Sequence, residues 1–160
     1  MPMFYIDGQS IGNQQKGLPR KARIAIAFRW EGVAPEAAHV RVVSEDIGDK
    51  TNNEAEYHAL VRLLSIIESH FVTGKGDIPR SMGNVRICSD SELLVKQVSG
   101  EYKVKEDRLR KLRDEVKLLL DGMESVRLES VPREENLAGL WLEGKIRAVQ
   151  VRPEQFLLGM

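Results

Sequence analysis

The sequence predicts an α/β domain in which a mixed β-sheet is flanked by helices. Apolar segments of strand length come first, helical periodicity begins only near Thr51, and two of the short apolar segments end at an aspartate. The 160 residues and the hydrophobic content of 42% fit one globular unit with a sizeable core. We therefore expect one domain over residues 1–148, followed by a tail at 149–160 to which the pattern assigns no structure.

The amino-terminal strands are predicted from apolar runs bounded by turn residues. The run 3–7 is followed by Gly8, and the runs 23–30 and 39–45 are separated by a glycine and a proline, as in a hairpin. These three runs are expected to form strands of one sheet.

A long amphipathic helix is predicted between two strands. Between 51 and about 71, apolar residues recur at helical spacing, at Leu60, Leu63, Leu64, Ile67 and Phe71. Segment 84–89 is again a short apolar run that leads into an aspartate. This order favours parallel pairing through a right-handed crossover, which puts both strand ends on one side of the sheet. We therefore expect Asp7 and Asp90 to be neighbours, at the edge where α/β proteins place their sites.

The remaining chain continues the alternation of helices and strands. The ranges 91–98 and about 109–120 favour helices, and 126–131 favours a last strand. After Pro132, apolar residues at helical spacing predict a closing helix that packs on the sheet, at Leu137, Leu140, Trp141 and Ile146.

Composition limits the kinds of function. Lys plus Arg and Asp plus Glu both total 24, so the protein has no net positive charge of the kind that is typical of nucleic-acid-binding proteins. Any polyanion would therefore have to be bound by a local group of residues. A single cysteine, Cys88, excludes an intramolecular disulfide framework. No apolar run approaches membrane-spanning length, and an acidic residue at position 7 comes too early for a signal peptide. We expect a soluble cytoplasmic protein with no membrane partner.

Three local sequences resemble motifs of type 1 ribonuclease H, in the same order. They are Tyr5-Ile6-Asp7-Gly8, Thr51-Asn52-Asn53-Glu54-Ala55-Glu56 and Cys88-Ser89-Asp90-Ser91. Segments 100–105 and 131–136 also resemble that family, so the likeness spans most of the chain. The resemblance implies a ribonuclease H-like fold with a five-stranded mixed sheet, in the short form without a basic protrusion. It also implies cleavage of the RNA strand of RNA/DNA hybrids.

The resemblance implies a metal site made of Asp7, Glu56 and Asp90. Hydrolysis of a phosphodiester needs an activated water and neutralisation of phosphate charge, which two divalent cations about 4 Å apart provide. Carboxylate oxygens suit Mg²⁺ or Mn²⁺. Asp7 would bridge the two cations, and Glu56 and Asp90 would complete the position that activates water.

Each of these residues also has a purely structural explanation. Asp7 fits a turn, Asp90 fits a helix N-cap, and Glu56 fits an acid in the first helical turn, where the helix dipole favours it. Thr51 and Glu54 fit a capping box. Two adjacent carboxylates at strand ends repel each other, however, and this repulsion favours a bound cation.

By resemblance, the nucleic-acid contacts fall near the same strand end and helix start. Thr51 would contact the DNA backbone, because amides at a helix start bind phosphate, and Asn52 would contact RNA 2′-hydroxyls. Gly8, Asn13 and Asn53 complete the predicted nucleic-acid-binding set.

The chain departs from the family pattern in the closing helix. The fourth family aspartate falls at Leu140, which cannot ligate a metal, so the second cation would be held more weakly. Glu143 and Glu135 are the candidate replacements. The loop histidine of many relatives is missing too, with 133–135 in its place.

Two alternative functions stay open. Leu140 favours a catalytically weak or inactive module of the same fold that binds nucleic acid or a protein. A nuclease of this fold that acts on another substrate is the second alternative, because three carboxylates alone do not specify a hybrid duplex.

Overall fold

A mixed β-sheet organises the computed structural model, which describes residues 1–12, 19–72, 84–123 and 125–158. The strands are β1 (Pro2–Ile11), β2 (Lys21–Trp30), β3 (Arg41–Gly48), β4 (Val85–Ser89), β5 (Val126–Ser130) and β6 (Val149–Gln150). Their spatial order is β5-β4-β1-β2-β3-β6. The β1–β2 and β2–β3 pairs are antiparallel, and the β1–β4, β4–β5 and β3–β6 pairs are parallel.

Helices cover both faces of this sheet. They are α1 (Asn52–Val72), α2 (Glu92–Val98), α3 (Asp107–Asp121) and α4 (Leu137–Leu142). Alternate residues of β1 point to opposite faces, as the period of a strand requires. Phe4 and Ile6 join the core with α1, whereas Met3 and Tyr5 join a second cluster with α4. Within the part of the chain that the structure describes, no helix is both long and apolar enough to cross a membrane.

The first strand is longer than predicted. The sequence predicted an end at Asp7, but β1 continues to Ile11 because it pairs with β2 along its whole length. Its parallel pairing with β4 covers only Met3–Tyr5. Asp7 therefore lies where β1 and β4 separate, and not at the end of β1 as the sequence predicted.

The predicted mixed sheet with flanking helices is confirmed, but it has six strands where the sequence predicted five. Two residues, Val149–Gln150, form β6 beside β3. So short a strand leaves no alternating pattern to recognise. It begins the segment to which the sequence assigned no structure.

The carboxyl-terminal segment packs against the sheet. Phe156 and Leu157 are buried in the core on the α1 face, where the Phe156 ring lies 6.1 Å from that of Phe4. Arg41 donates hydrogen bonds from Nη1 to the carbonyl oxygens of Phe156 and Leu158, at 3.1 and 2.7 Å. The segment thus covers apolar surface that helices leave open.

Candidate metal centre

Three acidic side chains from three different elements meet at the opening between β1 and β4. Asp7 comes from β1, Glu56 from the second turn of α1, and Asp90 directly follows β4. One carboxylate oxygen from each lies within 4.8 Å of the others. Among the described residues, this is the one group of three or more acidic, histidine or cysteine side chains close enough to share a cation.

Close packing of α1 on β1 brings Glu56 to Asp7. A side chain at Gly8 would place a Cβ only 2.4 Å from the backbone carbon of Ala55 and 2.5 Å from the nitrogen of Glu56. The start of α1 is fixed by a capping box, in which the Glu54 amide donates to Thr51 Oγ1 at 3.1 Å and the Thr51 amide donates to Glu54 Oε1 at 3.3 Å.

The N-cap of α2 is not the aspartate that the sequence suggested. Ser91, and not Asp90, caps this helix, since Ser91 Oγ accepts a hydrogen bond from the Leu94 amide at 3.1 Å. The capping explanation of Asp90 is therefore wrong, and its carboxylate is available to the cluster.

Burial gives the cluster unusual acid–base properties. Asp7 is only 2% exposed, and its Oδ2 has no hydrogen-bond partner. Burial raises the pKa of Asp7 from 3.8 to about 6, although Arg133 opposes the shift, and Asp90 raises the pKa further. Burial likewise raises the pKa of Glu56 to about 7, against a hydrogen bond from Ser91 and together with repulsion from Asp7 and Asp90. In the folded protein, Arg133 and the nearby hydrogen bonds therefore do not offset the cost of burying the negative charges of Asp7 and Glu56.

The donor set fits a hard divalent cation. Buried polar atoms are nearly always paired in native proteins, so the unpaired Asp7 Oδ2 marks a place for a partner. Three carboxylates match the oxygen ligands that Mg²⁺ and Mn²⁺ prefer. Asp7, Glu56 and Asp90 are the residues that would hold such a cation.

Arg133, which the sequence motifs did not indicate as a site residue, enters the cluster from a 3₁₀ turn at Arg133–Glu135. Its Nη1 donates to Asp90 Oδ2 at 2.6 Å and lies 3.4 Å from Asp7 Oδ1. Its Nε donates to Glu143 Oε1 at 3.0 Å. The available signal was its position, because 133–135 replaces the loop in which many relatives carry a histidine.

Neither candidate replacement for the fourth family carboxylate joins the cluster. Glu143 accepts from Arg133 through Oε1 and from Lys145 through Oε2 at 2.9 Å, and these two cations lower its pKa. Glu135 is exposed. Leu140 packs against the apolar cluster on the α4 face. Metal ligation by Glu143 therefore stays a prediction.

Helix α4 nevertheless approaches Asp7 closely. Asn136 is fully buried, caps α4 through the Gly139 amide and donates from Nδ2 to the Ile6 carbonyl at 3.0 Å. A Cβ at Gly139 would lie 3.2 Å from Asp7 Oδ2. The helix thus lies against the cluster without contributing a carboxylate to it.

Most of the predicted nucleic-acid-binding residues lie beside this cluster in the chain. Asn52 and Asn53 are exposed in the first turn of α1, and Asn52 Oδ1 accepts from the Ser10 amide at 2.7 Å. Gly8 faces α1, and Thr51 is engaged in the capping box. Asn13 lies outside the described residues. Contact of these residues with nucleic acid remains a prediction.

The sheet order and the carboxylate cluster define an RNase H-like domain. The family model described as "Reverse transcriptase-like" matches residues 16–142, and the chain belongs to that family. The chain is also 29% identical over 132 residues to Ribonuclease HI of Halobacterium salinarum. That match covers 82% of this chain and 57% of the haloarchaeal protein, so the chain spans little more than half of that relative's length.

Solved structures show the same likeness. The crystal structure of RNase H1 from Halobacterium salinarum NRC-1 superposes with a TM-score of 0.61 at 27% identity, covering 89% of this chain and 98% of that one. LC11-RNase H1, solved in complex with an RNA/DNA hybrid, gives a TM-score of 0.64 at 29% identity, with coverages of 86% and 89%. The ribonuclease H-like fold predicted from the sequence motifs is therefore confirmed.

Proposed function

We propose that the protein is a ribonuclease H, a metal-dependent endonuclease that hydrolyses the RNA strand of RNA/DNA hybrids. The observation that carries the proposal is the cluster of Asp7, Glu56 and Asp90, with oxygens within 4.8 Å and one buried oxygen unpaired. Relatives named ribonuclease HI and RNase H1 support the reaction, and the hybrid-bound LC11-RNase H1 supports the substrate. A cytoplasmic location belongs to the same proposal.

The chain's own residues would bind and orient the cofactor and substrate. Asp7, Glu56 and Asp90 would hold Mg²⁺ or Mn²⁺ through carboxylate oxygens. When bound, two such cations supply an activated water and neutralise charge on the phosphate. No side chain is needed as a nucleophile. The Arg133 side chain is 48% exposed, so its guanidinium can meet a phosphate that reaches the cluster.

The start of α1 is the proposed contact with the hybrid. Thr51 and Asn53 lie at a helix amino terminus, where the helix dipole and the orientation of the backbone amides favour phosphate. Asn52 would bind 2′-hydroxyl groups, which distinguish RNA from DNA. Gly8, and Asn13 outside the described residues, complete the proposed nucleic-acid-binding set.

A second candidate is a module of this fold that binds nucleic acid or a protein partner without cleaving it. Leu140 favours this candidate, because it places an aliphatic residue where the family has a carboxylate. The ion pairs of Glu143 with Arg133 and Lys145 favour it too, since they occupy both oxygens of the nearest replacement.

Cleavage of a labelled RNA/DNA hybrid in Mg²⁺, and separately in Mn²⁺, tests the proposal. We expect cuts confined to the RNA strand, with Asp7→Asn reducing the rate at least about a hundredfold, since it removes a charged ligand of the reacting centre. Glu154→Gln is the matched control, because Glu154 is 70% exposed in the carboxyl-terminal segment, and it should cleave at the wild-type rate.

The other outcomes separate the candidates. Folded wild-type protein that binds the hybrid but cleaves it with neither metal would support the binding module. Equal cleavage of DNA duplexes and hybrids would contradict the role given to Asn52 and indicate a nuclease of different substrate range.

A further inference from the structure

Arg133 places a fixed positive charge inside the carboxylate cluster. We propose that, in the protein free of nucleic acid, this guanidinium occupies the place of a second divalent cation, so that the cluster binds one cation tightly and not two. Glu143 is then a positioning residue that holds Arg133 there. The inference rests on the proposed function only in taking the cluster as a metal site.

The hydrogen bonds of Arg133 determine which carboxylate oxygens remain available. Nη1 lies 2.6 Å from Asp90 Oδ2 and 3.4 Å from Asp7 Oδ1, so it contacts one oxygen of each aspartate. The other Asp7 oxygen, Oδ2, is buried and unpaired. Asp7, Glu56 and Asp90 could therefore hold one cation between them, whereas a second would have to displace the guanidinium.

The charge balance leads to the same conclusion. Asp7, Glu56 and Asp90 bring three negative charges when ionised, and Arg133 neutralises one of them. A bound divalent cation neutralises the other two. A second divalent cation would add positive charge beside a guanidinium already at contact distance, and like charges in a partly buried site repel strongly.

The surroundings of Arg133 hold it in place. Its Nε and Nη2 both donate to Glu143 Oε1, and Glu143 Oε2 accepts from Lys145. Two donors on one carboxylate fix the plane of a guanidinium better than a single contact does. On helix α4, the Leu140 side chain has no oxygen that could bind a cation. Nucleic-acid phosphate, also an anion, is the group that would compete for Arg133 when substrate arrives.

Titration of the full chain with Mn²⁺, followed by the electron paramagnetic resonance signal of free Mn²⁺ and without nucleic acid, tests the inference. We expect one equivalent of tightly bound Mn²⁺ for the wild type and two for Arg133→Gln. Arg133→Lys keeps the charge and should retain one equivalent. Arg127→Gln is the matched control, because Arg127 is 75% exposed on β5, and it should also retain one.

Glu143→Gln separates positioning from ligation. If Glu143 holds Arg133, this variant should gain Mn²⁺ binding in the second class of site, because the guanidinium is released. Loss of bound Mn²⁺ would instead make Glu143 a metal ligand and overturn the positioning role. Circular dichroism of every variant establishes that differences in binding come from folded protein.

Two further outcomes would overturn the inference, and they have different consequences for the proposed function. Two equivalents in the wild type, or one in Arg133→Gln, would refute the role of Arg133 and leave the proposed nuclease intact. Failure of every variant to bind Mn²⁺ would refute both, because the cluster would then not be a metal site.

Discussion

Among single residues, Asp7 is a side chain whose burial in the site is unfavourable for folding. It is buried, one of its oxygens is unpaired, and its neighbours include two other carboxylates. Groups that are required for a reaction are often unfavourable for folding, because they are placed where charge is needed and solvent is excluded. The stability of the metal-free protein should reveal this conflict.

Asp7→Asn should stabilise the metal-free protein at about pH 7.5 by about 1 to 3 kcal/mol. The upper limit follows from a pKa raised from 3.8 to about 6, at about 1.4 kcal/mol per pKa unit. The free energy of unfolding in urea with EDTA measures the effect. Glu154→Gln should stay within about 0.5 kcal/mol of the wild type, because it changes an exposed carboxylate.

The pH dependence of this gain follows from the direction of the pKa shift. Because the folded-state pKa of Asp7 lies above its ordinary value, the folded state binds this proton more readily than the unfolded state. The stability that the protonated Asp7 carboxyl contributes is complete below about pH 4 and is lost as the pH rises through about 6. The gain from Asp7→Asn should therefore be smaller at about pH 5 than at about pH 7.5. A gain that does not depend on pH would contradict this explanation.

At the scale of elements, the site depends on how closely α1 approaches β1. Gly8 makes this approach possible, since any Cβ there would overlap the backbone of Ala55 and Glu56. The capping box at Thr51 fixes where the helix begins, and so fixes which turn carries Glu56. The geometry of the cluster is therefore set by backbone contacts outside it.

Gly8→Ala should destabilise the protein by about 1 to 3 kcal/mol, because overpacking forces the helix and strand apart. It should also weaken Mn²⁺ binding, since Glu56 moves with the helix. Urea unfolding and Mn²⁺ titration measure the two effects. Gly122→Ala is the matched control: its Cβ would meet nothing closer than 3.6 Å, and its φ is −84°. Wild-type stability and metal binding in Gly8→Ala would show that the close contact does not position Glu56.

At the scale of the whole molecule, the last residues complete the core. Phe156 has 0% exposure and packs with Phe4 and Phe28, and β6 adds a parallel strand to the far edge of the sheet. This segment lies on the α1 face, whereas the apolar residues of α4 lie in the opposite cluster. Its contribution to stability should therefore be separable from its contribution to the site.

Phe156→Ala should cost about 3 to 5 kcal/mol, since it removes a large buried ring and leaves a cavity. Metal stoichiometry in the remaining folded protein should be unchanged. The midpoint of urea unfolding measures the first effect, and Leu158→Ala, at an exposed neighbouring position, is the control. A loss of stability no greater than that of Leu158→Ala would mean that the segment is not part of the core.

The sequence alone determined the order of elements, the fold and the three acidic candidates. Periodicity at 2 and 3.6 residues follows from local geometry, so the buried stripe of α1 and the apolar strands were predictable. The motifs around Asp7, Glu56 and Asp90 are short and contiguous, and their order along the chain indicated the family. The parallel crossover then predicted that Asp7 and Asp90 would be neighbours.

Three features follow from contacts made only in the folded chain: the continuation of β1 past Asp7, the sixth strand, and the position of Arg133. Each depends on contacts between residues far apart in the chain: β1 with β2, β6 with β3, and Arg133 with Asp7, which is 126 positions away. Pairing and ion pairs of this kind leave no local period in a sequence, because their partners are chosen by the packing of whole elements. The three acidic residues of the cluster were therefore predictable from the sequence, but the positive charge of Arg133 among them was not.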